Sequence, residues 1–145
     1  MFDYEIKIPK DRIAVLIGKK GAVKRKIQRL THTKLVVDSK EGDVTVESED
    51  SFAAYSTKLI VKAIGRGFNP DIALLLTDED YSLEILDITE FVGKSNKNMQ
   101  RVKARVIGTG GKAWKMIERL TSCHLSVYGR TVGIIGPIEE VTLAR

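Results

Sequence analysis

The chain has 145 residues, of which 43% are hydrophobic and 30% charged, and it carries a net charge of +5. No apolar run approaches the roughly 18 residues of a membrane-spanning helix, and a mean hydropathy of -0.10 describes a soluble globular protein. A single cysteine, Cys123, beside only two histidines, His32 and His124, excludes an internal disulfide and a zinc site, so no metal or other cofactor is expected.

Tyr4, Ile6 and Ile8 alternate as one face of a strand that stops at Pro9. The opening Met1-Phe2-Asp3-Tyr4-Glu5 has no secretory character, so a cytoplasmic protein is expected. Asp11 is placed to cap a short helix through Ile17. After Gly18-Lys19-Lys20-Gly21, Val23, Ile27 and Leu30 keep helical spacing to Thr31. Leu35 to Val37 reads as a second strand, Glu41-Gly42-Asp43 as a turn and Val44 to Glu47 as a third strand. Ser48 or Asp50 opens a long helix with Phe52, Tyr55, Leu59, Ile60 and Ala63 on one side, ended by Gly65 and Gly67. Asn69-Pro70 supplies a cap and first-turn proline for a connector helix, Asp71 to Leu76, ahead of the acidic stretch Thr77 to Asp80. The expected division is a first domain at 1–68, a packed connector at 69–80 and a second domain at 81–145.

Leu83 and Ile85 open the second unit as a strand. A helix from Asn96 to Ile107, with Met99, Val102 and Val106 inward, precedes Gly108-Thr109-Gly110-Gly111. Met116, Ile117 and Leu120 line the next helix, Leu125 and Val127 mark a strand, Thr131 to Ile135 another, and Pro137 or its neighbour starts a final helix. That helix runs about nine residues to Arg145 against about 16 for its counterpart, so either the sequence is a fragment or something else covers the sheet face.

The two units are repeats. Ile17 to Val37 matches Ile107 to Val127 without gaps at 9 of 21 positions, including Arg-Leu-Thr at 29 to 31 and 119 to 121. Positive charge collects at the repeated glycine motif. Lys19, Lys20, Lys24, Arg25, Lys26 and Arg29 place six cations and no acid in 11 residues. Around the second motif Lys94, Lys97, Arg101, Lys103, Arg105, Lys112, Lys115 and Arg119 face only Glu118. The acids gather instead at Glu41 to Asp50 and Asp78 to Glu90. One charge run is ordinarily a solvated helix face, but two at one motif point to an anionic partner.

The stretches Val15-Leu16-Ile17-Gly18-Lys19-Lys20-Gly21 to Val37 and Val106-Ile107-Gly108-Thr109-Gly110-Gly111-Lys112 to Val127 resemble two KH domains. The 17 residues before Gly18 leave room for one strand and one helix, which implies the type I order β-α-α-β-β-α. The expected fold is therefore α/β (α+β): two tandem type I KH domains, each a three-stranded antiparallel sheet packed by helices, the last helix shortened. Three strings of the second half are more particular: Gly93-Lys94-Ser95-Asn96-Lys97-Asn98, Lys103-Ala104-Arg105-Val106-Ile107-Gly108 and Leu125 to Val132. They resemble the archaeal members of the KRR and Partner-of-NOB family of small-subunit ribosome assembly factors. The resemblance implies binding to the single-stranded 3′ region of precursor small-subunit rRNA, beside the endonuclease that trims that end and with other assembly or translation factors as partners. Family members usually complete the last helix and continue into a tail, so a contact made by that tail does not carry over.

The residues argue the same chemistry unaided. Glycine at 18, 21, 108, 110 and 111 lets the backbone approach phosphates where a Cβ would obstruct it. The helix that follows each loop adds its positive end and free N–H groups. Lys19 and Lys20 bring charge to the first loop, helped by Arg25; the second loop, Thr109-Gly110, brings none and relies on Arg105, Lys112 and Lys115. Lys34 and His124 hold equivalent places on a strand beside the groove and are candidates for reading bases, with Leu35 and Leu125 beneath. His124 is otherwise an ordinary strand residue, and Trp114 is either packed or a base-stacking ring.

Nucleotide loops are excluded. Gly108-Thr109-Gly110-Gly111-Lys112 lacks Walker A spacing, and Ala113 stands both where its Ser or Thr and where the third glycine of Gly-x-Gly-x-x-Gly should be. No nucleophile, base and orienting acid recur in both units, so an enzyme is not expected. A KH-fold protein-binding scaffold, or a general binder of mRNA or single-stranded nucleic acid, is the alternative.

Overall fold

A computed structural model describes residues 1–88, 100, 101, 103, 104 and 112–144. Two compact units divide the chain, Met1–Glu79 and Asp80–Arg145. The expected helix from Asn96 to Ile107 and the second glycine loop lie outside the described residues.

In the first unit, β1 (Phe2–Lys7) exposes Asp3, Glu5 and Lys7 and half-buries Tyr4 and Ile6, the period-2 pattern that makes a half-covered strand. Pro9 then stands at the cap of α1 (Lys10–Ile17), where its fixed φ suits the helix entry. Asp11, expected as that cap, lies instead in the first turn, where its charge favours the helix dipole. Ile13 and Leu16 are the buried side of α1. A 3-10 turn at Lys19–Gly21 leads into α2 (Ala22–Thr31), which ends at His32 in the left-handed conformation.

β2 (Lys34–Asp38) and β3 (Asp43–Ser48) form a hairpin, and the sheet order is β1-β3-β2 with both pairings antiparallel. Gly42 turns the hairpin at φ +77°, and a Cβ there would stand 2.5 Å from the Ile8 carbonyl oxygen. Its own carbonyl accepts the Ile8 N–H at 2.9 Å, so the hairpin is stitched to the end of β1.

α3 (Ser51–Gly65) covers the sheet, capped by Asp50, whose carboxylate accepts the N–H groups of Phe52 and Ala53 at 2.9 and 3.3 Å. The expected face is partly wrong. Ile60 and Ala63 are buried, but Phe52 and Tyr55 are each 48% exposed, and the packed side is completed by Ala54, Thr57, Val61 and Ile64. The two elements come closest at the end of α3, where a Cβ on Gly65 would meet Ile8 Cγ2 at 2.6 Å. Leu30, expected inward on α2, is likewise 50% exposed. Beyond α3 the connector forms α4 (Pro70–Ala73) and a 3-10 turn, Leu74–Thr77, packed on α3. Asn69 caps it as expected, accepting the Asp71 N–H at 2.8 Å, and Ala73 and Leu76 are buried.

In the second unit β4 (Tyr81–Asp87), β5 (His124–Tyr128) and β6 (Thr131–Pro137) give the order β4-β6-β5, again antiparallel throughout. The helices described are α5 (Lys112–Thr121) and α6 (Ile138–Ala144), the latter seven residues against fifteen in α3. Cys123, Leu125, Ile134 and Val141 form a core, with Leu86, Trp114 and Ile117 packed against it. Met116 and Leu120, expected to line α5 inward, are 54% and 75% exposed, so Ile117 alone of that trio meets the core. Each unit thus closes the expected sheet with helices on one side.

Burial pushes the Cys123 thiol above its ordinary value of 9.0; a bond to Thr121 opposes this and nearby Glu140 adds to it. A raised thiol pKa favours the folded state fully below the unfolded value, and that contribution is lost as pH rises through the folded one. Alkylation of Cys123 by iodoacetamide at pH 8 is therefore expected to be much slower in the native protein than in urea. Equal rates would show that the thiol is not enclosed.

Candidate nucleic-acid interface

The first glycine loop owes its shape to backbone conformations that side chains rarely adopt. Gly18 has φ 75° and ψ 177°, a region that only glycine enters readily. A Cβ there would also meet the Val23 backbone nitrogen at 2.8 Å. Lys20 (φ 54°, ψ 29°) and Gly21 (φ 76°, ψ 14°) continue in left-handed space. The result leaves Lys19 and Lys20 exposed in the turn at the entry to α2. Arg25, one turn into α2, donates Nη1–H to the Lys20 carbonyl at 2.6 Å and so braces the one non-glycine residue of the loop in left-handed space.

Five of the candidate residues therefore come together: Gly18, Lys19, Lys20, Gly21 and Arg25. Lys26 is otherwise engaged, its Nζ lying 3.3 Å from Asp71 of the connector. Lys34 opens β2, exposed and in register with Glu47. Leu35 and Leu125 are 1% and 7% exposed, so they support their strands from inside the cores and offer no platform to a base.

The structure adds a pair that sequence reasoning missed. Gln28 Oε1 accepts the N–H of Leu35 at 2.8 Å, tying α2 to β2. Ninety positions on, Glu118 Oε2 accepts the N–H of Leu125 at 3.2 Å, tying α5 to β5. The repeat extends further: Thr31 Oγ1 donates to the Ile27 carbonyl as Thr121 Oγ1 does to that of Ile117, and His32 and Ser122 share the left-handed turn. The signal was present in the alignment, where Gln28 and Glu118 both stand seven residues before the strand leucine. A polar helix residue simply looks solvated until its strand partner is known.

In the second unit Lys115 and His124 lie on one surface. With Glu118, Arg119, Ser122 and Cys123 they line an open depression of about 420 Å³. His124 Nδ1 is 3.8 Å from Glu118 Oε2. That carboxylate puts an anion where the first unit has the neutral amide of Gln28, which disfavours phosphate beside it. Trp114 rests against the core, in keeping with the packing role. Arg105, Gly108, Thr109, Gly110 and Gly111 lie outside the described residues, as does the side chain of Lys112. Among the described residues no group of His, Cys, Asp or Glu is arranged to hold a metal, and no helix is long and apolar enough to cross a membrane.

Comparison with known proteins accords with this architecture. Residues 3–54 match the KH domain model, and residues 82–145 match a eukaryotic-type (type I) KH domain model. Dim2p from Pyrococcus horikoshii is 41% identical with a TM-score of 0.90, covering 99% of this chain and 86% of that one. The chain belongs to the archaeal Dim2p family. This is the Partner-of-NOB family that the sequence resembles, with two type I KH domains in tandem. A second Pyrococcus horikoshii structure, an a/eIF2alpha-aDim2p-rRNA complex, is 42% identical with a TM-score of 0.91 over 99% of this chain and 80% of that one. The KH domain-containing protein MJ0443 of Methanocaldococcus jannaschii is 46% identical over 144 residues. That alignment covers 97% of this chain, which spans only 63% of the relative's length.

Gly18→Ala is expected to lower the urea midpoint of the first unit, with a cost of roughly 1–3 kcal/mol from the disallowed conformation. Gly21→Ala should cost less, about 1 kcal/mol, because it lies in ordinary left-handed space and its nearest obstacle is the movable Arg25 Nη1 at 3.2 Å. Equal effects would mean that the turn at Gly18 does not depend on glycine.

Proposed function

We propose that this chain binds single-stranded RNA at the 3′ region of precursor small-subunit rRNA and serves as an assembly factor there, as a binder and not a catalyst. The observation that carries the reading is the first loop: a backbone turn open to glycine alone, flanked by exposed Lys19 and Lys20 and leading into a basic helix. A phosphate backbone needs that combination of close approach and positive charge. The rRNA in the Pyrococcus Dim2p complex supports the ligand, and the a/eIF2alpha subunit there supports a translation factor as partner. The family resemblance adds the rRNA-trimming endonuclease, and a cytoplasmic place of action follows from that work.

Within this reading Gly18, Lys19, Lys20, Gly21 and Arg25 grip the backbone in the first unit. Gly108, Thr109, Gly110, Gly111, Arg105, Lys112 and Lys115 do so in the second, with Lys34 and His124 beside the bases. The first loop carries more charge, so it contributes more of the salt-dependent affinity. Glu118 reinforces that difference.

Replacing Lys19 and Lys20 by Asp tests the reading with an unstructured twelve-nucleotide RNA. The variant should unfold at the wild-type midpoint yet bind at least about tenfold more weakly, a loss of about 1.4 kcal/mol. Its salt slope should shrink by about 1.4, or 0.7 for each of two phosphates released. A folded variant with wild-type affinity and slope would overturn the loop mechanism.

A further inference from the structure

A second basic surface lies in the first unit, along the edge of the sheet opposite β2. There α3 runs beside β1, and an open groove of about 300 Å³ is lined by Lys7, Lys58, Lys62 and Arg66, with Glu5 its only acid. Lys58 and Lys62 are four residues apart and so project from one side of α3. None of Lys7, Lys58 and Lys62 is held in an ion pair among the described residues. At one end of this strip Tyr4 and Tyr55 meet edge to face at 6.3 Å, and Lys58 Nζ lies 4.9 Å from the Tyr4 ring centre and 5.8 Å from that of Tyr55. Tyr55 remains 48% exposed.

We infer that this β1–α3 edge is a second single-stranded RNA surface, in which Lys7, Lys58 and Lys62 hold phosphates and the Tyr55 ring stacks a base. The pairing of cations with an exposed ring decides the ligand class. An acidic peptide would use the lysines but has no need of a flat face, whereas a single strand presents phosphate and base in alternation. The groove lies near the C-terminal end of α3, whose dipole opposes anions with about half a charge. That is outweighed by the lysines, and Arg12 already covers the helix end, donating to the Ile64 and Phe68 carbonyls at 2.7 and 2.9 Å. From Tyr55 to Arg66 the helix rises about 16 Å, long enough for more than one nucleotide. The surface takes RNA that extends beyond the glycine loop, so it rests on the proposed function while using none of the loop's residues.

The test compares the full-length wild type with a Lys58→Gln/Lys62→Gln variant, using four-nucleotide and twenty-nucleotide oligouridine carrying 4-thiouridine. The short RNA should bind both proteins alike. The long RNA should bind the variant about tenfold more weakly, with a salt slope smaller by about 1.4 for two lost phosphates. Photocrosslinks from the long RNA should map to the peptide containing Tyr55 in the wild type and fade in Tyr55→Ala. Unchanged long-RNA affinity and slope, with no crosslink at Tyr55, would overturn the inference, including in favour of a protein ligand for the groove. The Lys19→Asp/Lys20→Asp variant run in parallel separates the two ideas. If it binds the short RNA normally, the loop reading fails whatever the groove does.

Discussion

At Gly18 the chain leaves α1 at φ 75° and ψ 177°, and the space a side chain would need is already taken by Val23 at the start of α2. Two helices can follow one another this closely only across a residue without a Cβ. That constraint sets where α2 begins, and Lys19 and Lys20 then occupy the narrow outside of the turn. Arg25 secures it from the far side through the Lys20 carbonyl. The helix so positioned reaches β2 through Gln28, whose amide occupies the N–H of Leu35. The loop, the helix and the edge strand are thereby one mechanical unit, and the same strand tie recurs at Glu118 and Leu125.

Charge is arranged around that frame by side as well as by amount. In the first sheet Asp3, Glu5, Asp38, Asp43 and Glu47 share the face turned away from the helices with only Lys7 and Lys34 as cations, by the alternation of the strands and their register. The helix and loop side carries Lys19, Lys20 and Arg25. A net charge of +5 therefore understates the contrast between the two sides. An anionic strand approaching the first unit is drawn to the loop and to the lysine-lined β1–α3 edge, and repelled by the acidic middle of the open sheet. In the second unit Glu118 puts a carboxylate where the first has the amide of Gln28, a negative charge within the basic helix.

Element order was legible because its signals are local. Alternation marked β1, the Asn69-Pro70 pair marked the connector, and the gap-free repeat identified the loop and the strand after it. What escaped were consequences of packing. Phe52 and Tyr55 looked like core because aromatic residues at helical spacing usually are, yet the side of α3 that meets the sheet is the one carrying Ala54, Thr57, Ile60, Val61 and Ile64. Leu30 and Leu120 likewise continue an apolar spacing, yet they are 50% and 75% exposed. Gln28 and Glu118 were invisible as functional residues because their partners are strand N–H groups, which carry no sequence signature. Leu35 and Leu125 appeared as groove floor, but a strand leucine facing the helices belongs to the core.

The measurement that bears most directly on the account is crosslinking of the protein to RNA in cell extract, followed by sequencing of the bound fragments. The account predicts reads concentrated at the 3′ end of small-subunit rRNA and its precursor, and loss of those reads in a protein whose glycine loops carry acidic substitutions. Reads scattered over messenger RNA, or reads at the rRNA end that persist undiminished without the loops, would contradict it.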